Sequence, residues 1–427
     1  MWNRQAQTAP SGCYQEVEKF FLEKGFNPIC IWEIEYPTLG NDIKVAGLTL
    51  KDFQIEAIER AISSRYGVIH APVRSGKTAI ISGLINKVLQ YPTVIVTNGV
   101  DLVKQTQHEV QNLTNQHCGF LSESIYEPAN QVVTSYQALT RIFGQPESQN
   151  ESTHSRNMKI FDLVAQCKML ILDECHHALA KNHSKWLNKF NKVGWRVGLS
   201  GTPKHGNLPK KAILHKIGPI IYTVTFDTLV KVGRIVQPKI IIYDLPQKWF
   251  SFLFSDYATD YQASIVQNKP RNKFISELVQ DLQKKGKTSF VMVRMLEHGD
   301  ILRDMIPGSV FVRGSVDSET RKSLFQSIQD KKLSCIIGTV GKEGLNIPTL
   351  DAVINAEGLA SEVSTIQKLR SLTASEGKEV GLVFDFIDKS RYTEKHSYDR
   401  MKLYNRNKKA FEIITKQVPD SHGEEHV

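Results

Sequence analysis

From Leu48 onward the chain alternates helical patterns with short runs rich in β-branched residues: YGVIHA, TVIVTN, QVVTSY, KMLILDE and WRVGLSGT. Buried strands separated by helices belong in a parallel sheet covered on both faces. A second series of the same kind starts near residue 235, with PKIIIYDL, TSFVMVR, SVFVRG, LSCIIGT, DAVINAE and EVGLVFDF. At 427 residues the chain is too long for one ordinary core. The pattern therefore predicts two α/β domains in tandem, over 48–235 and 236–427, joined near LVKVGRIVQP. Residues 1–47 hold one helical pattern, YQEVEKFFLEKG, and a strand-like ICIWEIEY closed by Pro37, and are expected to form a small accessory domain. The polar stretch GQPESQNESTHSRN (144–157) is expected to be an exposed loop.

Composition narrows the class. With 41% hydrophobic and 23% charged residues the chain reads as globular. It has no apolar run long enough to span a bilayer, so no membrane partner is expected. The start, MWNRQAQTAPSGCYQ, lacks the apolar core of a signal peptide, and a cytoplasmic setting is expected. The six cysteines include no C-x-x-C pair, which argues against a disulfide framework or a structural zinc site. A net charge of +10 favours polyanions such as nucleic acid.

HAPVRSGKTAI (His70 to Ile80) lies between a strand pattern and a helix pattern. In that setting backbone N–H groups at the helix start face phosphates. Lys77 would reach the β/γ-phosphates of a nucleotide and Thr78 would bind Mg²⁺; Arg74, Ser75 and Gly76 form the rest of the loop. Arg74 stands where such loops often have glycine, which is tolerable if its φ is negative. Downstream, KMLILDECHHA ends a strand pattern in Asp173 and Glu174, at the strand edge where open α/β sheets bind ligands. One carboxylate would hold Mg²⁺ and the next would orient or deprotonate a water. A chance GKT at a turn, and a helix cap by Asp173, are the plainer readings of each motif alone. Cys175, His176 and His177 have no partners at metal-ligand spacing.

Together these residues resemble superfamily 2 helicases and translocases. Asp173-Glu174-Cys175-His176 matches their second motif in its DECH form, and LTLKDFQ resembles the upstream motif that would put Gln54 on adenine. LSGTP resembles the motif coupling ATP state to movement, which implies coupling roles for Ser200 and Thr202, with His176 and Gln367. GTVGKEGLNIP resembles the fifth motif and implies ATP contacts by Gly344 and Asn346, although aspartate is common at the latter position. TNGVDLVKQ and TSYQAL resemble strand-tracking motifs, implying DNA contacts by Thr97, Asn98, Thr134, Ser135 and Tyr136. Arg294, Gly314 and Thr339 are their second-domain counterparts. SFVMVRMLEHGDIL, YQASIVQNKPRNKFISEL and KHSYDRMKLY look most like the branch that includes UvsW and the XPB-type enzymes. The resemblance covers roughly residues 48–410 and implies two RecA-like domains with parallel sheets, using ATP and Mg²⁺ to move on branched or forked DNA. It names no protein partner.

The sixth motif departs from the family. Relatives read Q-x-x-G-R-x-x-R; this chain has STIQKLRSLTASEGK. Gln367 matches, but direct alignment puts Arg370 on the glycine, Ser371 on the first arginine and Ala374 on the second. A one-residue deletion puts Arg370 on the first arginine and Thr373 on the second, making Arg370 the candidate finger. Such an arginine is worth roughly 10³ to 10⁵ in rate. Its loss would leave an ATP-gated clamp with weak hydrolysis, the alternative to a motor; an RNA helicase is a third reading.

Two further stretches carry expectations. KSRYTEKHSYDRMKLYNRNKK has eight Lys/Arg against two acids, interleaved with Tyr392, Tyr398 and Tyr404, which suits either nucleic-acid contact or a solvated basic helix. KWFSFLFSDYATDY (248–261), with six aromatics, is expected to be a helix packed on its domain, the alternative being a strand-separating wedge.

Overall fold

The computed structural model describes residues 13–27, 39, 43–72, 74–88, 91–144, 151–201, 216–313, 323–324, 326–328, 330–339, 350–359, 380–406, 408 and 411–420. The chain divides into two compact units, Met1–Thr225 and Phe226–Val427. Each is built on a seven-stranded sheet in which every strand pair is parallel. These are the two tandem RecA-like domains.

The first sheet comprises β1 (Tyr66–His70), β2 (Thr93–Thr97), β3 (Cys118–Leu121), β4 (Gln131–Ser135), β5 (Met169–Asp173), β6 (Trp195–Ser200) and β7 (Ile220–Thr223). Their order is β3-β4-β2-β5-β6-β1-β7. β2, β4 and β6 are buried along their whole length, as the continuous apolar runs require for a sheet covered on both faces. Covering helices include α1 (Tyr14–Glu23), α2 (Asp52–Ser64), α3 (Lys77–Val88), α4 (Val100–Thr114), α5 (Tyr136–Gly144), α6 (Glu151–Gln166) and α7 (Ser184–Leu187). Because all strands run the same way, the residues following β1, β2, β4, β5 and β6 meet along one edge of the sheet.

The second sheet comprises β8 (Gln237–Asp244), β9 (Ser289–Val293), β10 (Ser309–Val312), β11 (Cys335–Thr339), β12 (Ala352–Asn355), β13 (Val380–Ile387) and β14 (Glu412–Gln417), in the order β10-β11-β9-β12-β13-β8-β14. A buried polar network joins its strand ends to two helices. Arg271, on the helix Lys269–Lys284, donates to Asp388 at 2.7 Å, and both side chains are fully buried. Arg400, on the helix Thr393–Arg406, bonds both carboxylate oxygens of Asp385 at 3.1 Å, and Tyr404 donates to the same carboxylate at 2.6 Å.

Three local expectations change. The polar stretch expected as a loop ends in helix: α6 starts at Glu151, its fold set by Ile160, Leu163, Val164 and Cys167, which are buried at helical spacing. The aromatic-rich 248–261 is not one helix. Asp256 accepts from the Thr259 N–H at 2.9 Å and starts a short helix, Tyr257–Tyr261, only there. Before it, Phe250 is buried while Leu253 is 91% exposed. In the basic C-terminal stretch Tyr404 is buried and the Tyr392 hydroxyl donates to the Ser255 carbonyl at 2.6 Å, so those two rings are committed within the unit. ICIWEIEY (29–36) lies outside the described residues. Among the described residues no helix is long and apolar enough to cross a membrane.

Candidate nucleotide site

The loop after β1 leads directly into α3 at Lys77. Its geometry depends on Gly76, which has φ +74°; a Cβ there would stand 2.4 Å from Gln54 Nε2. Gln54, buried on α2, donates from Nε2 to the Ser75 carbonyl at 2.8 Å and accepts from the Lys51 N–H at 2.9 Å. Gln54, expected on adenine, has each end of its amide engaged once inside the unit, and the side chain braces the phosphate loop. Arg74 also differs from expectation. Its φ is +70°, the left-handed region, so a side chain sits where glycine would be relaxed, at a cost of about 1–2 kcal/mol.

Lys77 projects from the first turn of α3 to the end of β5. Its ammonium lies 3.7 Å from Asp173 Oδ1 and is ion-paired with Glu174. All three side chains are mostly buried, between 16% and 22% exposed, where the pairing is stronger than at an open surface. Glu174 itself has φ +45°, which turns the chain sharply off the strand and into the short 3₁₀ segment Cys175–Leu179.

A chain of polar contacts then links β5 to β6. His176 Nδ1 lies 3.0 Å from Ser200 Oγ, and Ser200 donates to Glu174 Oε2 at 3.3 Å. His176 and Ser200 are both buried. His70 Nε2, at the end of β1, lies 3.0 Å from the Gly201 carbonyl oxygen and ties the strand before the phosphate loop to the segment after β6. Cys175 is a packing residue: it is fully buried against Gly198, where a Cβ would fall 2.9 Å from its Sγ. Burial pushes its thiol pKa up, away from reactivity.

The nucleic-acid candidates separate by burial. Thr97 and Thr134 are fully buried, with hydroxyls directed to the carbonyls of Thr134 (3.5 Å) and Leu121 (2.9 Å). Ser135 is 2% exposed and accepts from the Ala138 N–H at 3.1 Å, capping α5. Tyr136 is fully buried and donates to the Asp173 carbonyl at 3.0 Å. These four side chains hold strand ends together, and the expectation that they grip a strand is corrected. Asn98 is half-buried and accepts from exposed Gln137 at 3.2 Å, Arg294 is exposed after β9, and Thr339 is half-buried at the end of β11. Thr202, Gly314, Gly344, Asn346, Gln367 and Arg370 lie outside the described residues.

The residues present fit a magnesium nucleotide. The loop is closed around Gly76, where a side chain would be strained and would push Gln54 aside, and buried Ser75 keeps a hydroxyl without a hydrogen-bond partner among the described residues. The donor set is an ammonium, a hydroxyl at the second residue of α3 and two carboxylates, the chemistry expected around phosphates and Mg²⁺.

Tandem parallel sheets with a GKT loop after one strand and a paired carboxylate after another are an arrangement that most resembles superfamily 2 helicases and translocases. The chain is similar to UvsW and to the XPB-type enzymes. Residues 47–205 match the family model described as type III restriction enzyme, res subunit. The ATP-dependent DNA helicase uvsW of Enterobacteria phage T4 is 26% identical over 279 residues, 60% of this chain and 55% of that protein. The DNA 3'-5' translocase XPB2 of Sulfurisphaera tokodaii is 21% identical over 87% of this chain and 88% of its own length. A putative ATP-dependent RNA helicase of Acanthamoeba polyphaga mimivirus is 24% identical over 87% of this chain and 72% of its own length. The match to uvsW thus spans little more than half of that relative. Among solved structures, the ATP-dependent Type ISP restriction-modification enzyme LlaBIII bound to DNA shares the fold, with a TM-score of 0.61 at 15% identity over 88% of this chain and 32% of that one.

Proposed function

We propose that the chain is an ATP-dependent DNA helicase or translocase that remodels branched DNA, such as replication forks and Holliday junctions, inside the cell. The observation that carries the reading is the position of Lys77 against both Asp173 and Glu174 at the edge of a parallel sheet, beside a loop built around Gly76. On this reading residues 48–235 form the ATP-binding domain and 236–427 the second motor domain, with 1–47 an accessory segment.

The loop backbone and Lys77 bind the phosphates of ATP, and Thr78 and Asp173 hold Mg²⁺. When bound, the metal neutralises charge developing on the transferred phosphoryl group. Glu174 orients the attacking water and takes its proton. Ser200 and His176 hold the Glu174 carboxylate and relay its state to the segment after β6. Asn98 and Arg294 contact the DNA backbone, which positions a strand without reading its sequence. By the motif resemblance alone, Arg370 is assigned the role of arginine finger, Gly344 and Asn346 are assigned to ATP and Gln367 to coupling.

The similarity to uvsW and XPB2 supports DNA, and the net charge of +10 suits a polyanion. Steady-state ATP hydrolysis with Mg²⁺, without nucleic acid and with a four-way DNA junction, a linear duplex or single-stranded RNA, tests the reading. The junction is expected to stimulate most. Stimulation by RNA alone would replace DNA by RNA as the substrate. No turnover under any condition, with nucleotide-sensitive binding retained, would make the chain a clamp.

A further inference from the structure

β2 pairs with β5 only as far as Val96 opposite Leu172, so the ladder on that side stops one residue before Asp173. On the other side Asp173 still pairs with Leu199 of β6. The chain then turns left-handed at Glu174, a strained conformation for a residue with a side chain. At this point the Tyr136 hydroxyl donates to the Asp173 carbonyl at 3.0 Å. Tyr136 is the first residue of α5 and follows β4, which lies two places from β5 in the sheet. Its hydroxyl therefore reaches past the end of β2 to take over where the ladder ends.

The ring is fixed as firmly as the hydroxyl. Tyr136 is fully buried, stacked on His183 at 5.3 Å between centroids and packed against Trp186 and His177, each at 5.9 Å. Burial pushes its phenol pKa well above the ordinary range, so the hydroxyl remains a donor at any working pH. The next residue, Gln137, is exposed and donates to Asn98 after β2. Two adjacent residues thus carry a surface amide pair and the bond on the carboxylate turn.

We propose that Tyr136 is a positioning residue that couples strand binding to hydrolysis. A nucleic-acid strand held at Asn98 and Gln137 fixes the start of α5, and the Tyr136 hydroxyl transmits that placement to the Asp173–Glu174 turn. This rests on the ATPase reading above and adds the route by which DNA stimulates it. Asp173 and Glu174 act on the phosphates and the water, and Tyr136 acts through them.

The test is Tyr136→Phe in the full chain, which keeps the packed ring and removes the hydroxyl. Trp186→Phe serves as a packing control, because it loosens the same cluster and leaves the hydroxyl bond. ATP turnover is measured with and without a four-way DNA junction, together with KM for ATP, junction affinity and the melting temperature. Tyr136→Phe is expected to lower junction-stimulated kcat by roughly tenfold or more, as misplacement of catalytic groups does. KM and junction affinity should stay within about twofold, and Trp186→Phe should retain stimulation whatever its melting temperature. Unchanged stimulation in Tyr136→Phe overturns the proposal. So does an equal loss of kcat in both variants, which is the mark of a packing role and is read from Trp186→Phe even if Tyr136→Phe folds poorly. Wild-type protein with no turnover under any condition overturns the ATPase reading itself, and turnover that the junction does not stimulate overturns this inference alone.

Discussion

Ser200 Oγ donates to Glu174 Oε2 at 3.3 Å and stands 3.0 Å from His176 Nδ1, so one hydroxyl joins the end of β6 to the residue assigned to the attacking water. Ser200→Ala removes the joint and leaves the phosphate loop untouched. Hydrolysis should fall by about tenfold, the scale of one long hydrogen bond to a carboxylate, while base pairs opened per ATP fall much further. Parallel ATPase and strand-displacement assays check this. An equal fall in both would mean that Ser200 serves chemistry and not coupling.

Arg74 at φ +70° occupies a conformation that favours glycine. Arg74→Gly should relax the loop, raising stability by about 1 kcal/mol or less after the added chain entropy of glycine is subtracted. The variant should also keep its KM for ATP if the backbone, and not the guanidinium, cradles the phosphates. Thermal melting and a KM measurement decide, and a large rise in KM would place the Arg74 side chain on the nucleotide.

Asp388→Ala should destabilise the second unit strongly. Arg271 and Asp388 are fully buried partners, and removing one leaves the other charge without its counterion, a loss of about 3–5 kcal/mol. Denaturant melts of the full chain measure it. A loss under about 1 kcal/mol would mean that water reaches the pair.

His298 is fully buried, with Nε2 2.9 Å from Asn272 Oδ1. Burial, with the nearby Arg271 charge, pushes its pKa down to about 3. The folded state thus holds the ring neutral where the unfolded chain, near pKa 6.5, takes up a proton. This contribution is complete above pH about 6.5 and is lost as pH falls toward 3, about 1.4 kcal/mol per unit. His298→Gln, which can still donate to Asn272, should flatten the fall in melting temperature between pH 6.5 and 4.5. Identical acid profiles for both proteins would assign the acid sensitivity to other groups.

The central strands were legible because a sheet covered on both faces demands unbroken apolar runs, as in TVIVT and MLILD. β3, β7 and β14 were not. They lie at sheet edges, and β7 and β14 are exposed at both ends, so they carry no such run. α6 was hidden by its polar first half, since among the described side chains its buried residues begin at Ile160. Lys77, Asp173, Glu174, His176 and Ser200 could be read as a site from local motifs, and the fold brings them together. The tasks of Gln54, Tyr136 and His70 could not, because each bonds a residue 21, 37 or 131 positions away. Such pairings follow from strand order and leave no trace in local spacing.

The central claim is that Lys77, set against Asp173 and Glu174, serves ATP hydrolysis in a DNA motor. The most direct test is ATP turnover with Mg²⁺ and a four-way DNA junction for the wild-type chain beside Lys77→Ala, with junction binding measured on both. Junction-stimulated turnover in the wild type, abolished in Lys77→Ala while binding stays within about twofold, is the predicted result. Turnover that persists in Lys77→Ala would contradict the assignment of the loop.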